Sequence, residues 1–131
     1  MERLKLRRDF ISAAGGRKVS KRAFTLQARR RGDQMPARIG FTVTKRTARK
    51  AVERNRIRRR LREAVRLTAE AHAQAGTDYV LVGRRPALTM PFAEITSELG
   101  SALNEMGARL ASAVSDERGA ADAARRPVNG Q

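Results

Sequence analysis

The chain has 131 residues, 40% hydrophobic and 32% charged, which suits one folded domain burying roughly two-thirds of its unfolded surface. Its 29 Lys and Arg outnumber 13 Asp and Glu, a net charge of +16, which excludes a generic metabolic enzyme as the default and points to a polyanion partner, nucleic acid before an acidic membrane. The absence of cysteine excludes disulfides and thiolate chemistry, and no apolar run approaches the ~18 residues of a membrane span or forms the core of a signal peptide. The expectation is a soluble, cytoplasmic, basic domain with no membrane association and no obligate protein partner.

In chain order, residues 8–14 predict a short helix with Phe10, Ile11 and Ala14 on one side, ended by Gly15-Gly16. Residues 19–29 alternate, with Phe24, Leu26 and Ala28 against Thr25, Gln27 and Arg29, which predicts a half-buried strand. Residues 30–37 form a loop. Residues 38–44 alternate again through Ile39, Phe41 and Val43, and the two strands are expected to pair as an antiparallel hairpin. A helix is predicted from about Val52 to Ala73, its apolar stripe made of Ile57, Leu61, Ala64, Val65 and Thr68. Tyr79–Val82 is a continuous apolar run bounded by turn residues, as in a buried central strand. Gly83–Met90 is a loop, and Pro91 opens a last helix lined by Phe92, Ile95, Leu99, Ala102, Leu103, Met106 and Leu110. The fold class is α+β, an α-β sandwich of order α-β-β-α-β-α with a β-α-β crossover. The domain is expected to span residues 1–114, with 115–131 a disordered tail.

Charge is unevenly placed. Residues 1–66 hold 23 basic and 5 acidic side chains, whereas residues 67–131 hold 6 and 8. Lys45–Arg66 packs 11 basic residues into 22, broken only by Glu53 and Glu63. Like charges four apart on a helix repel, so so one-signed a run calls for an anion to neutralise it. Opposite the apolar stripe, Asn55, Arg59, Arg62 and Arg66 form one polar stripe, flanked by Arg56 and Arg58. Guanidinium groups offer paired donors to phosphate and flat faces to bases. No catalytic constellation accompanies them: there is one His, no Cys, no phosphate-cradling glycine loop and no carboxylates at metal-ligand spacing. Phe10 and Phe24 are each either core or platforms for stacking on bases, and composition favours core for both.

The run Ala51–Arg66, AVERNRIRRRLREAVR, resembles the RNR signature of the protein subunit of bacterial ribonuclease P. Arg54-Asn55-Arg56 stands as the RNR, Ile57 as the following apolar residue and Leu61-Arg62-Glu63 as the LRE. Arg7–Phe10, Ile39–Lys45, Asp78–Val82 and Arg84–Ala87 resemble the flanking segments in the correct order, so the likeness spans about residues 3–112. The resemblance implies an α-β sandwich whose β-α-β crossover is left-handed, against the general rule. It also implies that a catalytic RNA subunit, with Mg2+ held mainly by that RNA and the substrate, removes the 5′ leader of precursor tRNA. The protein then has no catalytic residue and no metal ligand of its own. Arg54, Asn55, Arg56, Arg59 and Arg62, with Arg58, Arg66, Lys45 and Arg46, would face the RNA subunit. Phe10 and Phe24 would line a cleft for the leader. The chain departs from the family in lacking Gly-Asn before the AV, where it has Thr47-Ala48-Arg49-Lys50, and in carrying Ala14 where a second aromatic is common. Against this stand a ribosomal or other structural RNA-binding protein of similar fold, which copurification with a ribosome would reveal, and a protein-only nuclease, which would cleave without RNA.

Overall fold

The structure is a computed structural model that describes residues 2–69 and 72–125, with side chains through Ala111. Five strands form one sheet: β1 (Glu2–Arg3), β2 (Arg17–Ser20), β3 (Phe24–Arg30), β4 (Arg38–Thr42) and β5 (Thr77–Gly83), in the order β1-β4-β5-β3-β2. Three α-helices accompany it: α1 (Arg7–Ala14), α2 (Ala51–Thr68) and α3 (Phe92–Arg125). A 3-10 turn at Arg85–Leu88 stands where a plain loop was expected.

β5 is central because it is apolar on both sides. It pairs antiparallel with β3 (Leu26 opposite Leu81) and parallel with β4 (Phe41 opposite Leu81). This corrects the expected hairpin between the second and third predicted strands: β3 and β4 are not neighbours, because β5 lies between them. Residues 31–37 must cross two strand spacings, roughly 10 Å, which a loop of that length does and a two-residue turn would not. The hairpin that does form spans the predicted 19–29 strand and runs past both its ends. It splits into β2 and β3, closed by the Lys21 N–H donating to the Phe24 carbonyl at 2.8 Å, with Val19 opposite Leu26.

α2 presents Ile57, Leu61, Ala64 and Val65 to the sheet, the predicted stripe, while Thr68 is half-buried. It ends at Thr68, short of the expected Ala73. α3 packs beside it through Ile95, Leu99, Ala102, Leu103, Met106 and Leu110, all buried. The α3 backbone runs on to Arg125, across the boundary expected at residue 114. Residues 126–131 lie outside the described residues.

Alternation along the strands divides the core. Phe24, Leu26, Ala28, Ile39, Val43, Tyr79 and Leu81 join the helices α2 and α3 in the main core. On the other face Leu4, Ala13 and Val80 make a smaller cluster, with Phe10 and Val82 packed against it. Behind the strand ends, Asp78 is buried and accepts from two arginines: Arg31 Nη1 at 2.5 Å, and Arg38 through Nε and Nη2, both at 2.7 Å. Arg38 also faces Asp9 of α1 at 3.5 Å. Arg31 donates on to Asp33, whose carboxyl it holds below the usual range, and to the Met35 and Pro36 carbonyls. One buried carboxylate thus ties the 31–37 loop, β4, β5 and α1 together.

Candidate nucleic-acid interface

α2 carries the basic surface because its apolar stripe fixes its rotation. With Ile57 and Leu61 turned to the sheet, Asn55, Arg56, Arg59, Arg62 and Arg66 are exposed, and Arg58 is half-buried. The predicted face therefore exists, but its members are not equivalent. Arg58 donates to Asn55 Oδ1 at 3.1 Å, so the two act as one unit. Arg66 pairs with Glu63 at 2.5 Å, and this contact holds the Glu63 carboxyl below its ordinary range. The Arg62 guanidinium lies over the Phe41 ring, 5.8 Å from its centroid, a cation–π arrangement. Arg59 makes no hydrogen bond or ion pair with another side chain among the described residues.

Arg54 is placed differently from the other residues of the predicted face. It is half-buried, and its Nη1 donates to the Ala48 and Arg49 carbonyls at 2.9 and 2.7 Å. The loop before α2 has no side-chain cap, and Arg54 reaches back to satisfy its carbonyls. Arg56 is divided: its Nε donates to the Leu88 carbonyl at 3.0 Å while the side chain stays exposed. Arg60, which lay outside both stripes in the sequence, donates to the Ala87 and Met90 carbonyls at 2.6 and 2.5 Å. Burial, with Arg56 nearby, lowers its pKa. Arg56 and Arg60 thus hold the 85–90 turn against α2, and Arg85 joins it through Glu53 and the Thr47 carbonyl, both at 3.4 Å.

Lys45 and Arg46 are exposed on a turn that closes as the Thr47 N–H donates to the Thr44 carbonyl at 3.1 Å. Arg49 and Lys50 are exposed at the entry to α2. The free positive surface therefore runs from this turn along α2 through Asn55, Arg59 and Arg62.

The two predicted aromatics are not brought together. Phe10 is half-buried on α1, its ring directly over Gly40: a Cβ at that position would lie 2.5 Å from two ring atoms. Phe24 is fully buried in the main core, on the other side of the sheet. It shares a face with Leu26 and Ala28, so strand alternation turned it away from α1. What lies beside Phe10 instead are the half-buried positions of the opposite phase, Thr25, Gln27, Thr42 and Val82. The alternation of residues 24–28 already marked Thr25 and Gln27 for this face. Among the described residues no three His, Asp or Glu side chains gather where one metal ion could be shared, and no helix is long and apolar enough to cross a membrane.

Comparison with known proteins agrees with this architecture. A family model described as Ribonuclease P matches residues 1–107. The ribonuclease P protein component of Gluconacetobacter diazotrophicus is 47% identical over 108 residues, covering 82% of this chain and 92% of the relative. That of Caulobacter vibrioides is 43% identical over 110 residues, covering 83% and 73%. Among solved structures, the RNase P protein of Staphylococcus aureus superimposes with a TM-score of 0.67 at 28% identity, covering 81% of this chain and 95% of that one. The RNase P protein of Thermotoga maritima does so with a TM-score of 0.67 at 27% identity, covering 80% and 97%. With the mixed α+β fold, the signature on α2 and these likenesses in agreement, the chain belongs to the ribonuclease P protein family.

Proposed function

We propose that this protein binds the catalytic RNA subunit of ribonuclease P and, in that complex, assists endonucleolytic removal of the 5′ leader from precursor tRNA. The observation that carries the reading is the exposed, nearly uncompensated positive surface along α2, built from the residues of the family signature. Asn55 with Arg58, together with Arg56, Arg59, Arg62 and Arg66, contacts phosphates of the RNA subunit, and Lys45 and Arg46 extend the surface around the turn. Arg54 supports it from behind by fixing the loop. The leader lies on the other side of the sheet, along Phe10 and the Thr25, Gln27, Thr42 and Val82 positions, with Phe24 serving only as core. The hydrolysis belongs to the RNA subunit, and Mg2+ is held mainly by that RNA and the substrate. The same reading carries the left hand of the β4-α2-β5 crossover.

The test is reconstitution with a ribonuclease P RNA and precursor tRNA. Cleavage at low Mg2+ should require the full-length protein, and protein alone should not cleave. Equal cleavage with and without protein across the Mg2+ range would reject the reading. Binding of the RNA subunit should fall steeply with salt, as counterions are released from each neutralised phosphate.

A further inference from the structure

Between α2 and the β1–β4 edge of the sheet lies a cavity of about 330 Å3. Its apolar lining is Ile39, Phe41 and Val65, and Arg3, Arg62 and Arg66 stand around it. Glu63 also lines it but is already committed to Arg66. The volume is at the small end of ligand pockets, roughly 300–1,000 Å3, which suits a single nucleoside and not a stretch of helix. It lies on the α2 side of the sheet, away from Phe10, and two of its arginines are members of the basic stripe. An RNA bound along that stripe passes its mouth.

We infer that this cavity receives one unpaired nucleotide of the RNA subunit, its base stacked beside Phe41 and Arg62 and its phosphate held by Arg3. Three observations converge. Arg66 is neutralised by Glu63, which leaves Arg3 and Arg62 as the net positive charge of the rim, so the rim complements an anion. The lining behind them is apolar and includes an aromatic ring, which complements a base rather than an inorganic ion. Arg62 already stands over the Phe41 ring, 5.8 Å from its centroid, so a planar group can join an existing cation–π pair. Aromatic and guanidinium platforms of this kind are how proteins hold splayed-out bases of single-stranded RNA. Paired bases within a duplex cannot enter such a cavity, which makes the occupant a bulged or loop nucleotide.

The inference rests on the proposed RNA-subunit binding, and the test separates the two. Phe41→Leu keeps apolar volume and removes the ring; Arg3→Gln removes one phosphate contact at an exposed position. Each should weaken binding of the RNA subunit by about fivefold or more, within the range of a lost base stack. Affinity for precursor over mature tRNA should not change, because the leader lies on the other face. If Arg59→Ala weakens RNA-subunit binding while Phe41→Leu and Arg3→Gln leave it within twofold, the cavity holds no nucleotide and the broader reading stands. If none of the three has an effect, the broader reading falls with it. Should Phe41→Leu lose its fold, titration of the unmodified protein with adenosine monophosphate decides: saturable shifts of the Ile39 and Val65 methyl resonances, absent with ribose 5-phosphate, support the inference. Their absence, or equal shifts with both compounds, overturns it.

Discussion

The two faces of the sheet are built on opposite terms. The face under α2 and α3 is closed: Phe24, Leu26, Tyr79 and Leu81 are within 2% of complete burial. The face under α1 is covered by one eight-residue helix, and beyond the small cluster around Leu4, Ala13 and Val80 it offers half-buried threonines, a glutamine and the Phe10 ring. Stability is concentrated on the first face, which leaves the second free to stay polar and accessible. The same division runs through the arginines. Arg31, Arg38, Arg54 and Arg60 are spent on a buried carboxylate or on backbone carbonyls, while Arg59 and Arg62 stay exposed on α2.

The largest expected effect tests the closed face. Phe24→Ala should cost about 3–5 kcal/mol, since it deletes a large buried ring from a packed core. Denaturant unfolding of the variant measures it, and a loss below about 1 kcal/mol would return Phe24 to the list of surface aromatics. Asp78→Asn should cost roughly 3 kcal/mol, at the low end for a broken buried ion pair because Arg31 and Arg38 keep some solvent exposure. Its 31–37 loop should gain backbone amide exchange before the rest of the sheet does.

The open regions should respond in binding instead. Arg59→Ala is expected to leave the unfolding midpoint unchanged and to weaken RNA-subunit binding by about 1.5–3 kcal/mol, the scale of a hydrogen bond to a charged group. Arg60→Ala should do the reverse in kind, loosening the 85–90 turn and lowering stability, because the Ala87 and Met90 carbonyls lose their donor. Phe10→Ala should cost about 1 kcal/mol of stability, as expected of a ring only partly removed from water. It should reduce affinity for precursor tRNA by roughly 1–3 kcal/mol while mature tRNA binds as before. Gly40→Ala should reproduce the binding loss, since its methyl group would displace the Phe10 ring. Equal losses for precursor and mature tRNA in both variants would remove the leader from this face.

Much of this was legible in the sequence, and the failures have physical causes. Local periodicity placed α2, α3 and β5 because each buries one continuous stripe or run, and it set Phe24 and Thr25 on opposite faces. It could not show that β5 inserts between β3 and β4, since pairing between distant strands leaves no local mark. The charge run of 45–66 announced a polyanion partner, but charge alone does not say which arginine turns inward. Arg54 and Arg60 differ from Arg59 only in the carbonyls that the fold brings within reach. Asp78 looked like a turn residue beside Gly76. Its role emerges only when Arg31 and Arg38, 47 and 40 residues away in sequence, arrive beside it.

The smallest effect probes a polar seam in the closed face. The buried Tyr79 hydroxyl accepts a hydrogen bond from the Gln74 N–H at 3.0 Å. Burial pushes its pKa above the ordinary value of 10.0, and the Gln74 contact offsets this only in part. The ionised phenolate is therefore less welcome in the folded chain than in the unfolded one. The resulting stability is fully present below the unfolded pKa of about 10 and is lost as pH rises through the higher folded value. Tyr79→Phe should cost about 1 kcal/mol at pH 7, because the Gln74 N–H loses its acceptor. Above pH 10 the variant should lose stability less steeply than the parent, so their difference narrows. Urea unfolding at pH 7 and pH 10.5 measures both quantities, and a constant difference between the two proteins would show that Tyr79 does not govern the alkaline limit of the closed face.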